Sequence, residues 1–226
     1  MKPKQFIGVL EMGQASTQLY IRLLNESYSN EQQNNIKQFE LIPSDFEKIN
    51  TLLPKRSIKL DTLIASYLEE IRFNNFKVVL IPNITIHETV DAVINTLEAP
   101  VPVAHPLSGT INRLHQAGMD RAILFGSRYT MTSNYIKEVL ENAEIAINIP
   151  NQEDLEFIDW VRRQVYAESV SAETLKIFND LVESYSNEST VVLACTEFSL
   201  ISTIRNERIL DMAAIQVEDA ISMFEQ

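Results

Sequence analysis

The chain has 226 residues, of which 45% are hydrophobic and 22% are charged, and its formal net charge is −12. This composition is sufficient for a buried core and argues against intrinsic disorder. An acidic surface repels phosphate, so nucleic acid or an anionic membrane would need a local basic patch on the protein. The densest basic cluster, Lys55, Arg56 and Lys59, is typical of a solvated face. We therefore expect neither nucleic acid nor a membrane as a partner.

No run of about 18 apolar residues is present, and the N-terminal segment lacks a signal-peptide pattern, so we expect a cytoplasmic protein. The single cysteine, Cys195, excludes an intrachain disulfide and a cysteine-rich zinc or iron–sulfur site. The three histidines, His87, His105 and His115, do not have the spacing of metal ligands. We therefore expect no metal site.

Short runs rich in Val, Ile and Leu alternate with stretches of helical period, a pattern typical of parallel sheets covered by helices. The predicted strands are residues 6–12, 38–44, 77–83, 100–105, 121–127, 144–150 and 190–196. The first predicted helix begins at Ser16 or Thr17, and the others cover residues 60–71, 86–97, 107–117, 130–142, 152–167, 172–186 and 212–224. Seven strands fit one sheet or two smaller ones, and the composition does not decide between them.

Cys195 lies at the predicted junction between a buried strand and a helix. Backbone N–H groups and the helix dipole at such a junction favour the thiolate, so the sequence predicts a lowered pKa and a reactive thiol. The alternative interpretation is a buried, unreactive cysteine.

A second set of polar residues follows the third predicted strand. Asn83 and Thr85 there have the residue types of helix caps. His87 fits either a general acid or a buried helix histidine whose hydrogen bonds are satisfied.

A third strand end carries Gly126, Ser127 and Thr130. The glycine permits a close backbone approach, and the two hydroxyls could bind a carboxylate or simply form a strand-to-helix turn. The first loop, residues 11–17, contains one glycine and matches neither a Walker loop nor the GxGxxG fingerprint, which disfavours nucleotide binding. No GxSxG motif is present, so a serine hydrolase is not expected.

Together these segments resemble the aspartate/glutamate racemase family, the cofactor-independent amino-acid racemases, over nearly the whole chain. ACTEFSLI (194–201) resembles the family's second catalytic motif, G-C-T-E, with Cys195 at the thiol position. GSRYTM (126–131) is similar to its G-T-x-x-T-M turn, and NITIH (83–87) occupies the place of its first motif, C-N-T-x-H. LEMGQAST (10–17) and DMAAIQVEDA (211–220) stand where the family has G-G-M-G-P-x-A-T and D-T-x-x-x-H segments.

The resemblance implies two pseudo-symmetric three-layer α/β/α (flavodoxin-like) halves with mainly parallel sheets and an active cleft between them. One half would comprise residues 1–104 with 209–226, and the other residues 105–208. The resemblance also implies an enzyme that needs no pyridoxal phosphate or other cofactor and acts on a small amino acid or dicarboxylic acid. It further implies a homodimer.

By the same resemblance, Cys195 is the acid/base thiol and Asn83 stands where the family has its first catalytic cysteine. An amide has no pKa useful for proton transfer, so two-thiol racemisation is excluded. The candidate acid/base groups beside them are His87 and Glu197. The residues implied to bind the substrate are Met12, Gly13, Thr85, Ser127, Thr130 and Thr196.

Other departures from the family pattern fall at Glu11, Gln14, Ile84 and Gln216, where the family has glycine, proline, asparagine and histidine. They leave three functions open. The first is an amino-acid racemase that is slow or altered, and the second is a single-thiol decarboxylase or isomerase in which Cys195 protonates one face. The third is a catalytically silent protein that binds a carboxylate or amino acid.

Overall fold

The computed structural model describes residues 5–30 and 38–226. The strands are β1 (Phe6–Leu10), β2 (Phe39–Ile42), β3 (Phe76–Leu80), β4 (Arg121–Phe125), β5 (Ala146–Asn148), β6 (Thr190–Leu193) and β7 (Ile209–Asp211). The helices are α1 (Gln14–Asn30), α2 (Phe46–Leu52), α3 (Ile58–Ile71), α4 (His87–Ile94), α5 (Pro106–Gln116), α6 (Arg128–Thr132), α7 (Asn134–Glu141), α8 (Gln152–Tyr166), α9 (Ala172–Glu188), α10 (Thr196–Ile201) and α11 (Met212–Glu225). A 3₁₀ helix covers Ile84–Ile86.

The chain divides into two compact units, and each contains one parallel sheet. The first unit comprises the chain up to His105 together with Gln216–Gln226, and the second is Pro106–Ile215. The sheet orders are β2-β1-β3 in the first unit and β5-β4-β6-β7 in the second. The prediction of an α/β fold with parallel sheets is confirmed, and the strands form two sheets.

In the first sheet, the β-branched side chains of β1 and β3 are buried. Val9 of β1 and Val78 of β3 are fully buried, as expected of a parallel sheet covered on both faces. The predicted strand at 100–105 is not a strand; it forms only an isolated bridge between Val79 and Val103. Pro100 and Pro102 have no N–H group to donate to a ladder, which explains the difference.

The second sheet has an edge strand that the sequence pattern did not predict. β7 is only three residues long and pairs with β6 in parallel register, with Leu210 opposite Val192. Residues 209–215 therefore lie in the second unit, whereas the family resemblance implied that they belong to the first half.

Side-chain caps set several helix boundaries. The predicted helix 130–142 is two helices, α6 and α7, because Ser133 ends the first and caps the second by accepting from the Ile136 N–H. The first helix begins at Gln14, earlier than Ser16 or Thr17, and the Thr17 hydroxyl instead accepts from the Met12 N–H at 3.1 Å. Within residues 5–30 and 38–226, no helix combines the length and the apolar character that crossing a bilayer requires.

Gly13 shapes the loop between β1 and α1. Its φ is +86°, and a Cβ added there would lie 2.9 Å from Cε1 of Phe46. Gly118 also has a positive φ, +66°, but no described heavy atom beyond its chain neighbours lies within 4 Å of such a Cβ.

Substituting these two glycines distinguishes the cost of backbone strain from the cost of a steric clash, because both have a positive φ but only Gly13 has a close neighbour. We expect Gly118→Ala to lower the free energy of unfolding by about 1 kcal/mol, the cost of the left-handed backbone alone, and Gly13→Ala by about 2–3 kcal/mol, because Phe46 must also move. Urea denaturation of both variants measures the two losses. Equal losses would show that Phe46 does not confine the loop.

Candidate active site

Cys195 connects β6 to α10 and is half-buried. Its backbone is extended, with φ −154°, so the residue is the N-cap of α10. The thiol donates a hydrogen bond to Oε2 of Glu197, with Sγ and Oε2 2.8 Å apart. The Thr196 hydroxyl donates to the same oxygen at 3.2 Å. The thiol proton is therefore already directed at a carboxylate that can accept it.

The pKa of Cys195 is raised well above its ordinary value. Burial is the largest cause, followed by the negative charge of Glu197 and the hydrogen bond to it, while Arg162 opposes the shift. The predicted lowering of this pKa is therefore wrong. The thiol has lost hydration and faces a carboxylate, and the dipole of a helix of only six residues does not compensate.

Glu197 divides its two carboxylate oxygens between the thiol and a cation. Oε1 lies 3.8 Å from Nη1 of Arg162 on α8, while Oε2 takes the thiol hydrogen bond. Arg162 also donates from Nε to Oδ1 of Asp159 at 3.1 Å. The three charged side chains are largely buried, since Glu197 is 15%, Arg162 22% and Asp159 14% exposed. The sequence analysis did not identify Arg162 and Asp159. They are three residues apart on one helix, and that spacing by itself is typical of an ordinary ion pair on a helix surface.

The turn at 126–131 lies beside the Cys195 loop. The Ala194 N–H donates to the Phe125 carbonyl at 2.8 Å, so the strand ends β4 and β6 are neighbours. A Cβ on Gly126 would lie 2.9 Å from Cγ2 of Thr130 and 3.4 Å from the Ala194 carbonyl oxygen, so the close approach expected at this glycine is present.

Ser127 is the N-cap of α6, and its Oγ accepts from the Thr130 N–H at 3.0 Å. The two hydroxyls are also hydrogen-bonded to each other, 2.9 Å apart. The adjacent Arg128 N–H donates to Asp159, so α8 holds this turn as well as Glu197. The second unit thus brings Ser127, Thr130, Cys195, Thr196 and Glu197 to neighbouring strand ends.

Asp211 fixes the far end of the Cys195 helix. The Ser199 hydroxyl on α10 donates to Oδ1 of Asp211 at 2.8 Å, and the same oxygen accepts from the Ala213 N–H in the first turn of α11. Burial raises the pKa of Asp211 despite these hydrogen bonds. Asp211, the first residue of the DMAAIQVEDA segment, therefore links the first turn of α11 to α10.

In the first unit, the side-chain amide oxygen of Asn83 has a structural role. Asn83 caps the 3₁₀ helix, and its Oδ1 accepts from the Ile86 N–H at 3.2 Å. Ile84 is buried, and Thr85 is half-buried within the same helix. The interpretation of Asn83 as a helix cap agrees with this geometry.

His87 lies in a buried polar network. Its Nε2 is 3.3 Å from the Ile81 carbonyl oxygen and 3.4 Å from the amide nitrogen of Gln216, which also donates to the Ala104 carbonyl at 2.7 Å. Burial, followed by repulsion from His105, lowers the pKa of His87 well below its ordinary value. A lowered pKa disfavours His87 as a general acid at neutral pH. Its buried Nδ1 has no hydrogen-bond partner among the residues that the structure describes, so the expectation of a histidine with all its hydrogen bonds satisfied is wrong.

Met12 belongs to the hydrophobic core of the first unit, where it is 1% exposed. Any contact of this residue with a substrate would therefore have to come from its backbone. Among residues 5–30 and 38–226, no group of three His, Cys, Asp or Glu side chains is arranged to hold a metal ion.

The Cys195–Glu197 hydrogen bond predicts how the thiol reacts. We expect Glu197→Gln to lower the pKa of Cys195, since it removes a negative charge beside the forming thiolate. Alkylation by iodoacetamide at pH 7–8 should then be about tenfold faster than in the unmodified protein, which corresponds to one pKa unit. Alkylation rates over a range of pH measure the shift, and the exposed Glu173→Gln, with the same loss of charge, is the control. An unchanged or slower rate in Glu197→Gln would contradict the geometry.

The chain is similar to known proteins over most of its length. Residues 7–220 match the Asp/Glu/hydantoin racemase family model. The structure is similar to that of a Yersinia pestis protein assigned to the Asp/Glu racemases, with a TM-score of 0.84 at 20% identity over 98% of this chain and 100% of that one. It is also similar to an aspartate racemase homologue from Pyrococcus horikoshii, with a TM-score of 0.83 at 18% identity over 98% and 100% of the two chains.

A glutamate racemase from Francisella tularensis, crystallised with D-glutamate, has a TM-score of 0.60 to this structure at 14% identity over 98% of this chain and 82% of that one. These likenesses agree with the two parallel α/β sheets described above. Since the family model covers nearly the whole sequence, the chain belongs to the Asp/Glu/hydantoin racemase family.

Proposed function

We propose that this protein is an amino-acid racemase-type enzyme that works without a cofactor and transfers a proton at Cα through Cys195. The observation that carries this proposal is the hydrogen bond from the Cys195 thiol to the Glu197 carboxylate. A thiol can act as a base only after it loses its own proton, and Glu197 is in position to accept that proton. Family membership supports an amino acid as the substrate class.

The proposed proton transfers involve three groups. The thiol proton of Cys195 moves to Oε2 of Glu197, the resulting thiolate removes the Cα proton, and the carbanion that remains is stabilised by its carboxylate group. The reverse transfers return a proton to the same face of Cα. Since the pKa of Cys195 is raised, the thiolate forms only in step with this transfer, and the resting state is the neutral thiol.

Binding of the substrate carboxylate is assigned to hydroxyl groups close to the thiol. Ser127 and Thr130 share one hydrogen bond, which leaves one of their two hydroxyl hydrogens able to point at a ligand. Thr196 and Thr85 are the remaining hydroxyl candidates of the family motifs. The D-glutamate bound to the Francisella tularensis relative supports a ligand of this kind.

Racemisation also needs a proton donor on the opposite face of Cα, and by the family resemblance Asn83 occupies the motif position of that donor. Its amide does not titrate, and its oxygen already caps the 3₁₀ helix. We therefore propose that deprotonation proceeds from the Cys195 face and that inversion is slow.

A silent carboxylate-binding protein is the second candidate. The raised pKa of Cys195 favours it, because a thiol that stays protonated at neutral pH gives little thiolate. The same hydroxyl groups would bind the ligand in either case. Proton exchange at Cα separates the two candidates, since only the enzyme would catalyse it.

A single-thiol decarboxylase or isomerase is favoured by another observation. The chain contains one cysteine, and that cysteine has its own proton acceptor within hydrogen-bond distance. A reaction that delivers a proton to one face only would need no group at position 83.

Restoring a thiol at position 83 tests the proposed racemase chemistry. We expect Asn83→Cys to raise the racemisation rate by about 10²–10⁴-fold, the usual contribution of one general acid–base group, and Cys195→Ser to abolish it. Rates are measured by chiral separation of amino acids incubated with each variant.

Asn83→Asp is the matched control, because an aspartate keeps the oxygen that caps the 3₁₀ helix but provides no thiol. If Asn83→Cys binds an amino acid and still does not racemise it, the silent binding protein becomes the better interpretation. If Asn83→Asp gains as much as Asn83→Cys, the gain does not come from a second thiol.

A further inference from the structure

The ion pair of Arg162 with Glu197 uses the carboxylate oxygen that the thiol does not use. Nη1 of Arg162 lies 3.8 Å from Oε1, whereas Sγ of Cys195 lies 2.8 Å from Oε2. A carboxylate held in this way has its rotation about the last side-chain bond restricted. Its second oxygen is consequently directed at the thiol.

Arg162 is itself fixed on its other side. Its Nε donates to Oδ1 of Asp159 at 3.1 Å, and that oxygen also accepts from the Arg128 N–H at 3.0 Å. Both α8 side chains are largely shielded from solvent, with 22% of Arg162 and 14% of Asp159 exposed. A planar guanidinium can contact two carboxylates at once, which a flexible ammonium does less well.

We propose that Arg162 is a positioning residue that holds Oε2 of Glu197 against the Cys195 thiol. A hydrogen bond to a carboxylate is stronger when the acceptor oxygen is held in the direction of the donor, and the contact of Arg162 with Oε1 fixes that direction. The inference rests on the proposed function only in taking Glu197 as the acceptor of the thiol proton. In this proposal Arg162 acts only through Glu197 and does not contact a substrate.

Other carboxylates lie on the elements that adjoin this pair. On α8, Asp159 is paired with Arg162. At the end of β7, Asp211 accepts from Ser199 of α10, and burial raises its pKa. Arg162 pairs with both Asp159 and Glu197, so its removal leaves both carboxylates without this cation.

Infrared spectroscopy tests the inference without any substrate. Cys195 is the only cysteine, so the S–H stretching band reports the hydrogen bond of this thiol alone. At neutral pH we expect the band of the unmodified protein at a lower frequency than the band of Glu197→Gln, because a charged acceptor makes the stronger hydrogen bond. We expect Arg162→Gln to move the band toward that of Glu197→Gln, because Oε2 is then no longer held against the thiol.

Two further variants keep the test specific. The neighbouring Arg163 pairs with the other oxygen of Asp159, 3.4 Å away, and is 60% exposed, so Arg163→Gln removes the same charge without touching Glu197. We expect no shift in the S–H band for this variant. Arg162→Lys keeps the charge but loses the planar two-sided contact, so its band should move by less than that of Arg162→Gln. Arg162→Lys also provides the test if Arg162→Gln does not fold.

The inference is overturned if neither Arg162 variant shifts the S–H band, or if Arg163→Gln shifts it equally. Glu197→Gln gives the reference band of a thiol with an uncharged acceptor. If the unmodified protein already has that band at neutral pH, the thiol does not donate to a carboxylate, which overturns both the inference and the proton acceptor of the proposed function. If the band behaves as expected but no amino acid exchanges its Cα proton, the positioning role of Arg162 stands and the proposed function fails.

Discussion

The hydrogen bond between the Cys195 thiol and the Glu197 carboxylate is the interaction on which the chemistry of the second unit depends. It exists because α10 begins immediately after β6, which places a carboxylate two residues after the thiol at the first turn of the helix. The carboxylate opposes thiolate formation at rest, and at the same time it is the nearest group able to take the thiol proton. The raised pKa of Cys195 and its candidate role as a base therefore have the same origin.

The first unit contributes a motif of a different character. Asn83 uses its amide oxygen to cap a 3₁₀ helix, and His87 at the start of α4 is fully buried, with a pKa lowered mainly by that burial. The side-chain amide nitrogen of Gln216 lies 3.4 Å from Nε2 of this histidine and donates to the Ala104 carbonyl. The amides of Asn83 and Gln216 therefore satisfy backbone groups in this part of the first unit.

The features that sequence patterns predicted are those determined locally. The runs at 121–127 and 190–196 are continuous and rich in apolar residues, and they contain the buried parallel strands β4 and β6. The run at 100–105 has a similar apolar pattern, but its prolines prevent a ladder, and β7 is too short to give a periodic signal. The residues of the candidate site were identified from motifs, whereas the direction of the Cys195 pKa shift was not. That direction depends on burial and on the orientation of the Glu197 side chain, and the part played by Arg162 depends on the packing of α8 against α10.

Proton exchange at Cα is the measurement that tests the central claim most directly. The unmodified protein is incubated with L- and D-amino acids in deuterated water, and both the loss of the Cα proton signal and the appearance of the opposite enantiomer are followed. If Cys195 serves one face only, deuterium should enter the starting enantiomer about 10²–10⁴-fold faster than the opposite enantiomer appears, since the general acid on the second face is missing. Equal rates of exchange and inversion would contradict one-sided chemistry, and the absence of exchange for an amino acid that binds would contradict catalysis by Cys195.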